Sequence, residues 1–515
     1  MYYIQDTDQL VINDFDMPFG GKLDPENRWV RLAKIMPWDH IEEIYLRSMS
    51  KETGRRAYPA RVAFGSVFIK EYRKISDEEC VAEIQENPYM QYFLGLHEFQ
   101  QTPLFDPSMM VHFRKRFPVE EVARINECLC TGKWPEESRN VDRNDKDDEP
   151  KEEPREKAKE NSNDEDDQNG NKPSGGKSGK GKKNPNTSKK KQKKRKNRGK
   201  LIMDATVAPA DIKFPTDIDL LNRCREHYES AIGFFWAETP HKGHKLPYSA
   251  KKARKSYLNV AKSKKWTVKL LRKAIGEQLD YIEKAQKRYE QLRQLAPEVK
   301  LPSWLEKRLQ VVPLVYAQQK EMYENHKHSC ENRIVSLEQP HVRPIHRGKR
   351  PNPTEFGQKL HLSVVDGYTF LEQTCWDSYN EGLDLQASAE DYRRKFGVYP
   401  EAILADKIYQ TRANRSYCKE HGIRLSGPAL GRPKSGEAGA KEARQVYKDA
   451  CDRNAVEGKN GVLKRRFGLD LIMSKLDETA KTEAALNILA MNAAQRLRQW
   501  LMQFFQIWGY SIVFQ

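Results

Sequence analysis

CDRNAVEGKNGVLKRRFGLD, residues 451–470, decides how this chain is read. As a helix it turns about 100° per residue, which sets Glu457 roughly 40° round from Arg453 and puts Lys464 between them. One narrow stripe then carries base, acid, base. Val456, Leu463 and Phe467 gather roughly 80 to 100° away on the same wheel, an apolar stripe that would hold the helix against a core. The Glu457 carboxylate would be presented, not buried. A carboxylate flanked by cations suits a site that holds metal ions and a phosphate backbone, because the bases bind phosphate while the acid binds metal. Taken alone, the same residues also fit a solvated helix with an ordinary charge pair at i, i+4.

Two stretches upstream favour the first reading. LIMDATV (201–207) is a short apolar strand with one acid, Asp204, in its middle. An acid in a buried strand costs too much to keep without a partner or a task. Much later AILAD (402–406) repeats the design, an apolar run ending in Asp406. If these strands lie side by side and parallel, their acids meet at the carboxyl ends, where open α/β sheets place their sites. Asp204, Asp406 and Glu457 would then make a three-carboxylate cage. Such a cluster repels itself unless cations sit in it, and hard oxygen ligands of this kind select magnesium or manganese.

Between the two strands, EFGQKLHLSVV (355–365) alternates, Asp366-Gly367 is a hairpin turn, and residues 368–375 return as its partner. Residues 381–396 read as a helix. Residues 219–330 are helical and very polar, an all-α insertion between the first strand and the hairpin. Within it, Val268, Leu271, Ile275, Ile282, Ala285, Tyr289 and Leu292 follow 3,4 spacing with one lapse at Gln278. That narrow seam fits a hairpin packing on itself or a dimer coiled coil. Its neighbour YSAKKARKSYLNVAKSKKW (248–266) mixes aromatics with bases, a candidate for DNA contact. After Asp406 come a helix at 409–420, a short strand at 423–426, the Glu457 helix and an apolar helix at 479–505.

Residues 1–130 read as a compact helical domain: a helical period over 27–49 broken at Pro37, an amphipathic helix at 62–75, a capping box at Ser76 and another start at Asp106. The bases at the helix ends (Lys70, Arg73, Lys74; Arg114, Lys115, Arg116) fit duplex reading and solvated faces equally. Residues 131–199 form a linker, acidic and then basic, with almost nothing apolar to bury and hence expected to be disordered.

With 515 residues the chain has room for about three units. Its net charge of +17 is concentrated: residues 171–200 hold 14 Lys and Arg and no acid, so the folded parts are nearly balanced. The eight cysteines are scattered, with only Cys128 and Cys130 close together, the usage of a reducing compartment. His326, His328 and Cys330 have no second pair at finger spacing, which argues against zinc. No signal-peptide pattern opens the chain, and no apolar run nears the ~18 residues of a membrane span.

The order strand, hairpin, helix, strand, helix, strand, helix, with acids on the first strand, after the fourth and on the late helix, is similar to the RNase H-like fold. More specifically, the chain resembles the DDE transposases of bacterial insertion sequences, of the family usually numbered five. The resemblance rests on DATVAPADIKFPTD (204–217), RIVSLEQPHVRPIHRGK (333–349), EFGQKLHLSVVDG (355–367), PEAILADKIYQTRANR (400–415) and RNAVEGKNGVLKRRFGL (453–469), and residues 55–95 resemble the accompanying N-terminal domain. It implies an α/β RNase H-like catalytic domain over 200–218 and 331–508, a mixed five-stranded sheet with flanking helices, carrying the all-α insertion at 219–330. It implies Asp204, Asp406 and Glu457 as the metal-binding triad for two Mg2+ ions, with Mn2+ able to substitute. Arg453, Lys464, Arg343, Arg347 and Lys349 become candidate phosphate contacts. The related signature places a Tyr three residues before the Arg; here that position is Ala450, with the nearest Tyr at 447. The implied chemistry is two-metal phosphoryl transfer: cleavage at the element's terminal inverted repeats frees a 3′-OH, which then attacks target DNA. Double-stranded DNA is the implied partner, a homodimer the implied assembly, and the bacterial cytoplasm, at the nucleoid, the implied location. The alternatives are a nuclease that cuts without joining and a catalytically idle DNA-binding derivative.

Overall fold

A computed structural model of the chain describes residues 15–17, 20–49, 56–135, 196–238, 249–347, 353–428, 431 and 435–507, with the side chains of 501–507 excepted. Most of the linker expected to be disordered, residues 136–195, lies outside the described residues.

The N-terminal part is helical: α1 (Arg28–Ile35), α2 (Trp38–Arg47), α3 (Ala60–Arg73), α4 (Asp77–Glu86), α5 (Pro88–Phe93), α6 (Met109–Lys115) and α7 (Val119–Thr131). The break at Pro37 separates α1 from α2, and the Ser76 hydroxyl accepts from the Glu79 amide at 3.1 Å, capping α4. The helices bury an aromatic core, including Trp29, Phe64, Phe68, Phe93 and Phe117, that runs on without interruption into Ala484, Leu489 and Ala493 of the last helix. Most of the bases flagged at the helix ends work inside the protein. Lys70 is buried against Glu71, Arg73 pairs with Glu83, Lys74 with Asp470, and Arg114 grips Asp77 with both nitrogens.

The sheet is built on β1 (Lys200–Pro209), which is buried along almost its whole length. On one side β3 (Thr354–Val365) runs antiparallel to it; on the other β5 (Ala402–Leu404) runs parallel, followed by β6 (Arg424–Leu425), also parallel. β4 (Tyr368–Cys375) returns from β3 through Asp366 and Gly367, both at positive φ, the tight turn that the Asp-Gly pair encodes. The sheet has six strands among the described residues, not five. β3 is long enough to outrun β4, whose last partner is Lys359, and β2 (Arg343–His346) pairs with the edge this leaves at 354–357.

Between β1 and β2 lie α8 (Asp217–Glu238), α9 (Ala250–Ala261), α10 (Val268–Leu295) and α11 (Ser303–Glu324). The α10 seam packs within the chain: Leu279, Ile282 and Ala285 share a core with Leu221 and Tyr228 of α8 and Val312 of α11. The lapse at Gln278 is also buried, and its amide donates to the Ala253 carbonyl at 3.3 Å, joining α9 to α10. After the hairpin come a 3-10 turn at Glu381–Leu383, α12 (Leu385–Phe396), α13 (Arg412–Glu420), α14 (Gly436–Arg466) and α15 (Asp477–Ile507). No helix of the described residues is long and apolar enough to cross a membrane.

Candidate active site

Helix α14 lies along β1 in step with it. The Lys200 ammonium meets the Asp452 carboxylate at 2.7 Å, Ile202 shares a core with Val456, and the Asn460 amide donates to Asp204 Oδ2 at 3.1 Å. Four helical residues rise about 6 Å and two strand residues about 6.6 Å, so each turn of α14 advances with each alternate residue of β1. Asp204 is thereby fixed at the level of residues 457–460.

Asp406 reaches the same face by alternation. Ala402 and Leu404 pack with Ile202 and Val456, while Ile403 and Ala405 pack on the opposite face with Leu201 and Met203. The last paired couple is Ile202↔Leu404, so Asp204 and Asp406 each stand two residues beyond it, Asp204 in the middle of β1 and Asp406 just past the end of β5. Asp406 has extended backbone (φ -71, ψ 170) and accepts from the Lys407 amide at 2.8 Å, starting a 3-10 turn where β5 stops.

Glu457 is exposed (55%) and paired with Arg453 at 3.2 Å. Burial pushes the Asp204 carboxyl above the usual carboxylate range; Arg453 and Arg347 oppose the shift and Glu381 adds to it. Both arginines therefore stand within electrostatic reach of Asp204. Arg347 also donates to the Ala205 carbonyl at 3.4 Å and pairs with Glu355 at 3.5 Å. Lys464 is half-buried two turns along α14 from Glu457. Arg343 is not brought to these acids: its guanidinium faces the Val342 carbonyl and Asp377. Lys349 lies outside the described residues. Tyr447 is 73% exposed, and Ala450 is exposed as well.

Each of the three carboxylates takes a separate donor: Asp204 the Asn460 amide, Asp406 the Lys407 amide and Glu457 Arg453. Accordingly, no three His, Cys, Asp or Glu side chains among the described residues converge closely enough to hold a metal ion. The donor set nevertheless suits a hard divalent cation, since it offers carboxylate oxygens and one buried amide oxygen, Asn460 Oδ1, that has no hydrogen-bond partner.

Residues 403–493 match the family model of the transposase DDE domain. That span runs from β5 through Asp406 and Glu457 into α15. Residues 18–116, the helices packed against α15, match a second model, a transposase domain (DUF772). The chain is also 35% identical over 115 residues to an uncharacterized protein, ORF8 in the nfe locus, of Rhizobium meliloti; the match takes in 21% of this chain and 55% of that protein, so it spans about half of the relative's length. No solved structure matches. The two family matches support a DDE transposase, and a DDE domain implies nuclease and transposition activity on DNA. Such domains generally use divalent metals.

Sequence reasoning missed two residues that organise the DDE region. Asn460 is three residues after Glu457 and four after Val456, the spacing at which helix residues share a face; that spacing was the available signal. Asp449 carried none: it is buried, gripped by both guanidinium nitrogens of Arg424 on β6, and ties α14 to the far edge of the sheet.

Proposed function

We propose that this chain is the DNA transposase of an insertion sequence, with an RNase H-like catalytic domain in which Asp204, Asp406 and Glu457 form the acidic triad. One observation carries the reading: Asp204 on β1 and Asp406 after β5 each stand two residues past the last paired couple of these adjacent parallel strands, and the helix that carries Glu457 runs in step with β1 and touches Asp204 through Asn460. The order strand, hairpin, helix, strand, helix, strand, helix supports the RNase H-like fold, with β2 as an addition.

Asp204, Asp406 and Glu457, with Asn460 Oδ1 as a further oxygen, are the residues that would hold divalent ions, Mg2+ or Mn2+. Such ions, when bound, supply the charge that activates a nucleophile and steadies a leaving oxygen in phosphoryl transfer. The chain's own groups do the rest. Arg453 and Arg347, both within electrostatic reach of Asp204, and Lys464 further along α14 would offer charge-assisted donors to a phosphate backbone, holding the scissile strand in line. Arg453 pairs with Glu457 at 3.2 Å, and its guanidinium would be free for phosphate if that carboxylate held a cation. Two element ends handled together call for two copies of the chain.

The test is magnesium-dependent cleavage and joining of a labelled duplex carrying the element's own ends, comparing the wild type with Asp204→Asn and Glu457→Gln. Joining by the wild type alone, with both variants still binding DNA, supports transposition through this triad. Cutting without joining would leave a nuclease. Binding without any cut, under both magnesium and manganese, would overturn the enzyme reading.

A further inference from the structure

The helical insertion carries a strongly basic surface for which the carboxylate site has no use. Residues 250–276 contain ten Lys and Arg and no Asp or Glu. On α9 the wheel sorts them. Lys255 and Lys262 lie roughly 40° and 20° round from Lys251, while Ala253, Tyr257 and Val260 lie on the opposite side, roughly 180 to 240° away. The structure follows that division. Ala253 and Val260 are buried, Val260 packs with Ile218 of α8 and Ala274 of α10, and the three lysines are exposed. Lys264, Lys265 and Trp266 extend the surface through the turn into α10, all three exposed.

The face is unneutralised. None of Lys251, Lys255 and Lys262 makes an ion pair among the described residues. The nearby acids are engaged elsewhere: Asp219 takes Lys213 and the Tyr257 hydroxyl (2.8 Å), and Glu277 takes Ser256 and Lys273. Further along α10 the pattern is the ordinary one, with Glu283 answering Lys287 at 2.7 Å. An acid-free stripe beside a mixed one is a local choice of sign, and it repels itself unless an anionic partner covers it.

We propose that α9 and the α9–α10 turn form a binding surface for the phosphate backbone of duplex DNA, distinct from the carboxylate site. The inference rests on the reading that DNA is the substrate. Lys251 to Lys262 spans about 16 Å along the helix axis, a length matching several phosphates of one strand. The apolar face of α9 is spent on α8 and α10, which leaves nothing to insert into a membrane surface. Tyr257 is tied to Asp219, so Trp266 offers the lone exposed ring among the described residues 249–266, too little for a single-strand stacking platform. The surface reads charge, not sequence: it holds the duplex while the triad acts.

The experiment measures binding of the full chain to a random-sequence DNA duplex across a salt series, for the wild type, for Lys251→Ala/Lys255→Ala/Lys262→Ala, and for a control triple, Lys284→Ala/Lys307→Ala/Lys320→Ala, at other exposed lysines of the same bundle. Each phosphate contact contributes about 0.9 to the slope of log affinity against log salt, so the α9 variant loses up to about 2.7 from it while the control keeps the wild-type slope. An unchanged slope, or an equal loss in the control, overturns the proposal. So does a stronger α9-dependent affinity for duplex RNA or for phosphatidylserine vesicles. Cleavage assayed in parallel separates the two readings. A protein that never cuts but loses slope in the α9 variant keeps this surface and loses the transposase chemistry; one that cuts with an unchanged slope does the reverse.

Discussion

The two faces of the sheet both carry charge, and they treat it in opposite ways. On the face covered by α14, Asp204 takes the Asn460 side chain and the Ala205 amide, Asp406 the Lys407 amide and Glu457 Arg453, and Glu457 is exposed. On the face covered by α12, charges are buried and matched. Lys395 sits between Asp391 at 2.5 Å and Glu372 at 3.4 Å, and Arg394 holds Glu127 of α7 through two bonds. Burial pulls against the Lys395 charge, yet Glu372 and Asp391 hold its pKa above the ordinary value. Ion pairs that neutralise one another inside a protein fix geometry. Acids that hold only local partners leave their charge available to a cation.

That contrast is sharpest where one charge is removed from each face. Glu457→Gln should lower cleavage by about 10³-fold or more while leaving the melting temperature within error, because an exposed i, i+4 pair contributes little to stability. Lys395→Met should do the opposite: stranding the buried Glu372 carboxylate costs about 3–5 kcal/mol, read as a lower urea midpoint, while Asp391 keeps Arg394. A Glu457→Gln protein that melts early, or a Lys395→Met protein that does not, would erase the distinction.

The α12 face also carries a pH dependence. Burial holds the His361 imidazole down to about 4, with Asp384 only partly opposing it. The folded chain therefore refuses a proton that the unfolded chain accepts, and the stability present above pH 6.5 drains away as pH falls toward 4, on the order of 3 kcal/mol in all. Both ring nitrogens lack hydrogen-bond partners, so His361→Leu gives up no bond there. Its unfolding free energy should fall less steeply between pH 6.5 and 4 than that of the wild type. Equal slopes would place the acid sensitivity elsewhere. On the α14 face the smaller test is Asn460→Ala, which should raise the Mg2+ concentration for half-maximal cleavage by about 10- to 100-fold with little change at saturating metal. A loss of maximal rate at unchanged metal requirement would make Asn460 a packing residue.

What could be read beforehand followed from local rules. Period-2 and period-3.6 patterns exposed β1, the hairpin at Asp366-Gly367 and the α14 stripe, because each is set by neighbours two to four residues away. The sixth strand was not legible: RPIH has no alternation to show, and β2 exists because β3 outruns β4, a length mismatch between distant segments. The bases of the N-terminal helices looked like candidates for DNA because a sequence does not display partners such as Asp470 for Lys74, nearly four hundred positions away. The direction of Arg343 was hidden for a related reason. Its place just before the hairpin was legible, but its direction depends on Asp377 beyond β4. Asn460 was overlooked because it is neither acid nor base, although the helix period alone aligned it with Glu457.

Asp204 is the acid on which the comparison can be tested through stability alone. Its carboxyl is held up mainly by burial, against the pull of the Ala205 amide first and then of Arg453 and Arg347. The folded chain thus keeps its proton longer than the unfolded chain, so ionisation costs stability as pH rises through the folded pKa, and at neutral pH the whole cost is present. Asp204→Asn removes that ionisation and keeps an oxygen that can accept from the Asn460 amide. The variant should melt higher than the wild type at pH 7. The advantage should vanish near pH 3, where both proteins carry a neutral group. Added Mg2+ should raise the melting temperature of the wild type and not that of the variant, because binding stabilises only a folded site that can bind. A lower melting temperature at pH 7 would mean that Arg453 and Arg347 outweigh the burial. Asp204 would then belong with the matched charges of the α12 face, an acid kept for structure.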